Sequence, residues 1–176
     1  ENKVNPTVTI PAVETLNCQV TKTTLTANVS GATDIAYAWS AGGSTTSTNN
    51  VADGTFVVTV TNNENKCTAS AELVVSKDVA SPTITISTPE ELNCAVSVVT
   101  VSASATSTVA GHTYSYNWTG SKSGQTVEYN SPETYTVTVT DNVNHCTASE
   151  DVTISQDINN PDVEIPAVSQ IDCENP

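Results

Sequence analysis

The stretch that decides the fold occurs as PTVTIPAVETLNC at residues 6–18 and again as PTITISTPEELNC at residues 82–94. It begins a third time as PDVEIPAVSQIDC at residues 161–173. The copies are offset by 76 and then 79 residues, which indicates tandem modules, each large enough for its own hydrophobic core. The predicted division is a linker from a preceding module at 1–5, module one at 6–78, module two at 79–157 and the start of a truncated third module at 158–176.

The composition is typical of strands. Thr, Val and Ser occur 30, 24 and 19 times among 176 residues, whereas the chain has one Phe, no Met and no Arg. Val and Thr are β-branched and suit a pleated surface better than a helix, which excludes a helical protein. Because the sequence has no initiator Met and no signal peptide, we expect it to be an excised segment of a longer polypeptide.

Apolar side chains recur at every second position in four segments, at residues 35–39, 56–60, 114–118 and 135–139. Turn-forming Gly, Asn and Asp residues separate these runs. Six or seven short strands per module predict an all-β fold of tandem antiparallel two-sheet β-sandwiches arranged end to end. The aromatic residues expected in the cores are Trp39, Trp118, Tyr37 and Tyr116.

The charge excludes several classes of partner. Five Lys stand against 19 Asp and Glu, giving a net charge of -14, which repels nucleic-acid phosphates and anionic lipid surfaces. No apolar run approaches the roughly 18 to 20 residues that span a bilayer. We therefore predict no nucleic-acid partner and no membrane insertion.

Two longer runs resemble a known repeat family. YAWS at residues 37–40 precedes GTFVVTVTNNENKCTA at 54–69, and YNW at 116–118 precedes TYTVTVTDNVNHCTA at 134–148. These runs resemble the SprB-type repeats of Bacteroidota gliding adhesins and, more loosely, the PKD and immunoglobulin-like modules of bacterial surface proteins. The resemblance implies an immunoglobulin- or PKD-like sandwich in a long, secreted, repetitive cell-surface polypeptide, exported by the type IX route and without catalysis.

The five cysteines predict disulfides. Spacing allows two registers, Cys18–Cys67 with Cys94–Cys146 inside the modules, or Cys67–Cys94 with Cys146–Cys173 across them. Cys67 opens the last strand, which runs roughly 25 to 33 Å before the next module, whereas a bridge needs Cα atoms within about 7 Å. We therefore predict the pairs inside the modules, with Cys173 unpaired in this chain. Buried free thiols are the remaining alternative.

Acidic residues near the expected joints suggest a cation site. Asp78 and Asp157 each lie four residues before a proline, and the turn that begins with Asp141 and Asn142 belongs to the module that follows the first linker. Calcium takes six to eight oxygen ligands, so a linker Asp and this turn are candidates to hold Ca²⁺ between modules. The alternative is that these residues only form solvated Asx-turns, and no EF-hand loop is present in the sequence.

The sequence predicts no enzyme. His112 and His145 do not recur between the modules and have no repeated acid or nucleophile beside them, so they make no catalytic triad. The expected function is a stalk or spacer segment of an extracellular bacterial adhesin or filament that extends and transmits force, in adhesion or gliding. Its expected partners are neighbouring modules of the same chain and other copies in a filament.

The alternative function is a ligand-binding immunoglobulin-like module. Its loops at residues 112–114 and 121–129 would contact a glycan or a protein. Carbohydrate binding needs exposed aromatic rings, and only Tyr129 and Tyr114 are left for that role once the core aromatics are assigned. This shortage favours the spacer interpretation.

Overall fold

The computed structural model describes residues 4–43, 45–159 and 162–165. The regular structure of these residues is entirely strand, and they include no helix that could cross a membrane. In module one the strands are β1 Thr7–Thr9, β2 Thr23–Thr26, β3 Asn28–Ser30, β4 Ile35–Trp39, β5 Ser47–Val51, β6 Gly54–Asn62 and β7 Thr68–Val75. In module two they are β8 Thr83–Ile86, β9 Leu92–Asn93, β10 Val99–Thr106, β11 Tyr114–Trp118, β12 Lys122–Ser123, β13 Thr126–Tyr129, β14 Thr134–Asp141, β15 Thr147–Thr153 and β16 Gln156–Asp157.

The two modules share one antiparallel plan. Module one has a three-stranded sheet in the order β4-β6-β7 and, across the core, the ladders β1-β3 and β2-β5. Module two has a four-stranded sheet in the order β12-β11-β14-β15 and a three-stranded sheet in the order β13-β10-β8. Every ladder in the described part of the chain joins strands of the same module. The predicted all-β tandem sandwich is therefore confirmed.

Each module has its own core, and the repeat places equivalent residues in it. Val58 and Val60 of β6 are fully buried, as are Val137 and Val139 of β14. Their intervening threonines face outward and bond across the sheet: the Thr59 and Ser70 hydroxyls are 3.0 Å apart, as are those of Thr138 and Ser149. The strand period of two thus separates a dry face from a hydrogen-bonded wet face.

The predicted core aromatics are found in or against the two cores. Trp39, Trp118 and Tyr116 are buried, and Tyr37 is half-buried against the module-one cluster. Each indole nitrogen donates to a backbone carbonyl six residues later, at Thr45 and at Gly124, 3.0 Å away in both modules. Burial of a tryptophan requires such a partner for its N–H group.

Tyr129 differs from the sequence-based expectation of an exposed ring. It is 4% exposed, stacks on Tyr135 with ring centroids 3.6 Å apart and meets Trp118 edge-to-face. The cause is the pairing of β13 with β10, which turns every second residue of β13 toward the core. Tyr114, at the start of β11, is half-buried.

A parallel contact closes each module beside its ordinary antiparallel ladders. In module one, Leu16 forms a parallel bridge with Lys77, its amide donating to the Ser76 carbonyl at 2.9 Å and its carbonyl accepting from Asp78 N at 2.8 Å. In module two, β9 pairs in parallel with β16 in the same way. The first segment of each module therefore runs in the same direction as the last strand and ends beside the exit of the module.

Leu25→Ala tests the packing of the module-one core. Leu25 is fully buried, and removing a buried leucine side chain costs about 2 to 5 kcal/mol of the free energy of unfolding. Val74→Ala on the exposed side of β7 is the control and should change stability by no more than about 0.5 kcal/mol. Urea unfolding of both variants measures the difference, and equal losses would contradict the assignment of this core.

Candidate functional site

The candidate site is the joint between the two modules. Its first part is the linker of residues 78–82, which leaves module one beside Leu16. Its second part is the turn of residues 141–146 between β14 and β15. Its third part is the connection from β10 to β11, which carries His112.

A disulfide crosses this joint. Cys18 of module one is bonded to Cys146 of module two, with their Cα atoms 5.2 Å apart and 128 residues between them in sequence. The Cys18 amide also donates to the Asn144 carbonyl at 3.1 Å. Cys146 is 1% exposed, so the bond is covered on the module-two side.

The predicted pairs Cys18–Cys67 and Cys94–Cys146 are therefore wrong. They required Cys18 to lie near the start of the last strand, where Cys67 is. The parallel bridge instead aligns Leu16 with Lys77, at the end of that strand, about ten residues or roughly 33 Å from Cys67. Cys18 consequently emerges at the exit of module one, beside the turn that carries Cys146.

Cys67 and Cys94 have free thiols in the part of the chain that the structure describes. Cys67 is half-exposed and Cys94 is exposed. The alternative cross-module pairing of Cys67 with Cys94 is thus not formed either. Cys173, which we predicted to be unpaired, lies outside the described residues.

Asn144 ties the linker to the turn. Its side chain is almost fully buried, and its Nδ2 donates to Asp78 Oδ1 at 3.0 Å and to the Ala80 carbonyl at 2.9 Å. Its Oδ1 accepts from the Cys146 amide at 3.0 Å. One amide group thereby holds the linker and orients the disulfide-bonded cysteine.

An imidazole ring separates the two carboxylates of the joint. His112 Nε2 lies 3.1 Å from Asp78 Oδ2, and His112 Nδ1 forms a short contact with Asp141 Oδ2. The His112 side chain is 3% exposed and that of Asp141 is fully buried. A protonated ring donates to both carboxylates, whereas a neutral ring donates to one. The half-buried Asp78 of module one and the buried Asp141 of module two are thus brought together by a shared donor.

The pKa of Asp141 lies below its ordinary value of 3.8. Burial favours the neutral acid and by itself raises the pKa, but the hydrogen bond from His112 and those from the Val143 and Asn144 amides outweigh burial. The amides donate to Oδ1 at 2.9 and 3.3 Å. The site therefore holds Asp141 as a carboxylate.

The residues predicted to bind calcium do not fit that ion. Asp78 and Asp141 are brought together as expected, but each of their four oxygens already faces a nitrogen of a hydrogen-bond donor group. Calcium needs oxygen ligands with free lone pairs, and the imidazole lies between the two carboxylates. In the described residues no three His, Cys, Asp or Glu side chains form a metal-binding group.

The other two predicted ligands lie elsewhere. The Asn142 side chain accepts from Ser115 Oγ at 2.8 Å and donates to Thr113 Oγ1 at 3.3 Å, both in module two. Asp157 is in the following linker, where its Oδ1 accepts from the backbone and side chain of Asn159. These contacts have the character of the Asx-turns that were the alternative interpretation.

Sequence reasoning identified Asp78 and Asp141 at the joint but missed Asn144 and His112, which connect them. Asn144 carried a usable signal, because Asn65 occupies the same position in module one. His112 carried none, because it lies in the stretch where the modules differ in length. Its role depends on the Asp78 and Asp141 side chains, which are distant in sequence and meet only in the assembled joint.

Comparisons with known proteins place the fold. No family model matches the chain, and neither does any curated protein. The three N-terminal domains of the bacteriophage RB49 Highly Immunogenic Outer Capsid protein match with a TM-score of 0.50 and 20% identity, over 86% of this chain and 59% of that one. The S-layer protein rSbsC matches with a TM-score of 0.40 and 16% identity, over 89% of this chain and 28% of that one.

Together with the sheet order, the match to the phage protein supports an architecture of tandem immunoglobulin-like β-sandwich domains. At 20% identity the likeness to the phage protein shows the fold alone. The chain spans about three-fifths of the length of that phage structure, 59%.

Asp141→Asn tests the electrostatics of the joint. At pH 7 we expect a loss of about 1 to 3 kcal/mol in the free energy of unfolding, because the amide cannot replace a carboxylate between His112 and two backbone donors. The pKa of Asp141 is lower in the folded state, so its contribution is complete above its ordinary pKa and disappears as the pH falls through the folded pKa.

The stability gap between the wild type and Asp141→Asn should therefore narrow in acid. Urea unfolding at a series of pH values from about 7 down to about 2 measures the gap. Asp162→Asn, which changes an exposed carboxylate, is the control and should stay close to the wild type throughout. A gap that stays constant over the whole series would contradict the role assigned to Asp141.

Proposed function

We propose that this two-module unit is a stalk segment of a large extracellular surface protein, with the joint as its functional element. The observation that carries the proposal is the disulfide between Cys18 and Cys146, which connects the first segment of one module to the last hairpin of the next. A bond in this place adds a second covalent connection beside the peptide linker. It favours a unit that keeps its length and direction under load.

The bond determines the path of a pulling force. A pull on the two ends enters module one, reaches Cys18, crosses the two sulfur atoms to Cys146 and leaves through β15. Residues 19–145 lie outside this path and carry no load while the disulfide is intact. A stalk that transmits force benefits from such shielding, since the 127 residues between the two cysteines cannot be pulled out while the bond is intact.

The polar contacts at the joint support the same function. Asn144 binds the linker, and His112 bridges the Asp78 and Asp141 carboxylates of neighbouring modules. These contacts restrict rotation that two covalent connections alone would permit. A net charge of -14 opposes the collapse of modules onto one another and favours an extended arrangement.

The proposal includes an extracellular location and no catalysis. Disulfides form and persist in oxidising compartments such as the cell exterior. The only His–Asp contacts in the described residues are those of His112, and both of its ring nitrogens face carboxylates, which leaves neither for a nucleophile. His145 is exposed and stands in the turn next to Cys146.

The resemblance to SprB-type repeats extends the proposal to bacterial adhesion or gliding. In that setting the two modules are a spacer that carries a binding tip away from the cell, and neighbouring modules are their partners. The predicted binding loops give little support to the alternative of a ligand-binding module. His112 is buried in the joint, and the Tyr129 ring is stacked in the core.

Single-molecule pulling of the chain tests this function. With the disulfide intact, the residues before Cys18 and after Cys146 extend. After reduction the 127 residues between them should also extend, adding about 420 to 460 Å at roughly 3.3 to 3.6 Å per residue. The variant Cys18→Ser/Cys146→Ser should behave as the reduced chain even under oxidising conditions.

The matched control is Cys67→Ser/Cys94→Ser, which retains the bond across the joint. It should show the short extension of the oxidised wild type. Equal extension of the wild type with and without reductant would reject force transmission through this bond.

A further inference from the structure

We propose that the joint is one link of a continuing disulfide series, in which Cys94 bonds to the next module and Cys67 to the module before. In each link the cysteine near the start of a module would join the cysteine before the last strand of the module that follows. The partner is another module of this type at each end of the unit. The inference rests on the proposed stalk function in one respect, that such modules follow one another in an array.

Cys94 is presented at the exit of module two as Cys18 is at the exit of module one. Asn93 Oδ1 accepts from the Ala95 and Val96 amides, both at 2.9 Å, and the Asn93 amide donates to the Val96 carbonyl. Asn17 makes the same three hydrogen bonds to the two residues after Cys18. The turn that aims Cys18 at the following module is thus repeated around Cys94.

The position of Cys94 along module two is also equivalent to the position of Cys18 along module one. Leu92 pairs in parallel with Gln156, just as Leu16 pairs with Lys77. Cys94 therefore lies beside the chain that leaves module two, where its side chain is exposed. A module attached after Asp157 would meet it first.

Cys67 stands in a turn that matches the turn of Cys146. Its amide donates to Asn65 Oδ1 at 2.9 Å, and its sulfur lies 3.9 Å from the Asn65 carbonyl oxygen. For Cys146 and Asn144 the corresponding distances are 3.0 and 3.8 Å. The residue before each cysteine has a positive φ, 62° at Lys66 and 58° at His145.

The entering chain is received in the same way in both modules. Asn65 Nδ2 donates to the Val4 carbonyl at 3.0 Å, as Asn144 Nδ2 donates to the Ala80 carbonyl at 2.9 Å. Cys67 therefore lies at the entrance of module one. Because Cys94 lies at the exit of module two, the two free thiols are at opposite ends of the unit and cannot serve each other.

A buried polar group at the entrance also lacks a partner. Asn62, the counterpart of Asp141, is fully buried, and among the described residues its Nδ2 has no hydrogen-bond partner. Asp141 Oδ2 occupies the equivalent place and faces His112 at the joint. His112 belongs to module two, as Asp141 does, so at the equivalent place the described part of module one lacks a partner residue of its own.

The exposure of the cysteines agrees with this inference. Cys146, which is covered by module one, is 1% exposed, whereas its counterpart Cys67 is half-exposed. The two turns have the same hydrogen bonds, so the difference comes from the neighbouring module and not from the turn itself. A preceding module would bury Cys67 as module one buries Cys146.

Each new bond requires an oxidant, for which a low-molecular-weight disulfide such as oxidised glutathione suffices. The Cys94 thiolate attacks this disulfide and releases one thiol, and the thiolate of the neighbouring module then attacks the mixed disulfide and releases the second. Two protein thiols thereby lose two protons and two electrons, and the small disulfide is reduced to two thiols.

In an array, the disulfides and the chain segments between them would form two separate covalent paths along the stalk. The chain runs 27 residues from Cys67 to Cys94, and again 27 residues from Cys146 to Cys173. Each such segment would begin and end at a disulfide, and each disulfide would bypass the long loop that Cys18–Cys146 bypasses here, with its separation of 128 residues. A complete array would therefore resist extension along its whole length.

The experiment is a tandem chain in which residues 1–157 are followed directly by residues 3–176 of a second copy. Asp157 is then followed by Lys3 and Val4, as Asp78 is followed by Val79 and Ala80. After refolding with reduced and oxidised glutathione, remaining thiols are alkylated and the chain is mapped without reduction. We expect a peptide that joins Cys94 of the first copy to Cys67 of the second, together with Cys18–Cys146 in both copies.

Two matched variants define the result. Cys67→Ser in the second copy alone should leave Cys94 of the first copy alkylated, and Cys94→Ser in the first copy alone should leave Cys67 of the second alkylated. Both variants should retain Cys18–Cys146, which also reports that the joints have folded.

Recovery of both cysteines as alkylated peptides in a chain with intact Cys18–Cys146 bonds would overturn the inference. A bond from Cys94 to any other cysteine would also overturn it. Failure of the Cys18–Cys146 bonds to form would do the same, because the new bond is inferred by analogy with them. Absence of the new bond alone would leave the force path through Cys18 and Cys146 intact. The pulling experiment tests the force path and the peptide mapping tests the new bond, so one proposal can fail without the other.

Discussion

The structure depends on the parallel contact between the first segment and the last strand of each module. Since Leu16 is aligned with Lys77, the chain has traversed the whole module before it reaches Cys18. The same contact holds the start of the linker through Asp78, so the cysteine and the linker leave module one side by side. The following module is thereby attached at two neighbouring points, one through peptide bonds and one through sulfur.

The joint also shows how an acidic protein accommodates charge at an interface. Asp78 and Asp141 come from different modules and would repel each other in the low dielectric of a buried contact. His112 lies between them, and backbone and amide donors occupy the remaining carboxylate oxygens. Both carboxylates thereby have nitrogen partners in place of a cation.

Sequence periodicity predicted the layers well because burial repeats with the pleat. Val58 and Val60 alternate with outward residues, and this alternation was sufficient to place them in a core. The tryptophan positions followed from the same period. Tyr129 was misplaced because its strand has only four residues, so only its pairing with β10 shows which face is inward.

The sequence by itself determined the repeat, the all-β class and the alternation of core and surface, because these follow from local spacing and side-chain shape. Only the tertiary structure decided the disulfide partner of Cys18, which lies 128 residues away in another module. Cysteine spacing carries no information about which ends of two modules meet. That is decided by the direction of the first segment relative to the last strand, which a single parallel bridge between Leu16 and Lys77 fixes.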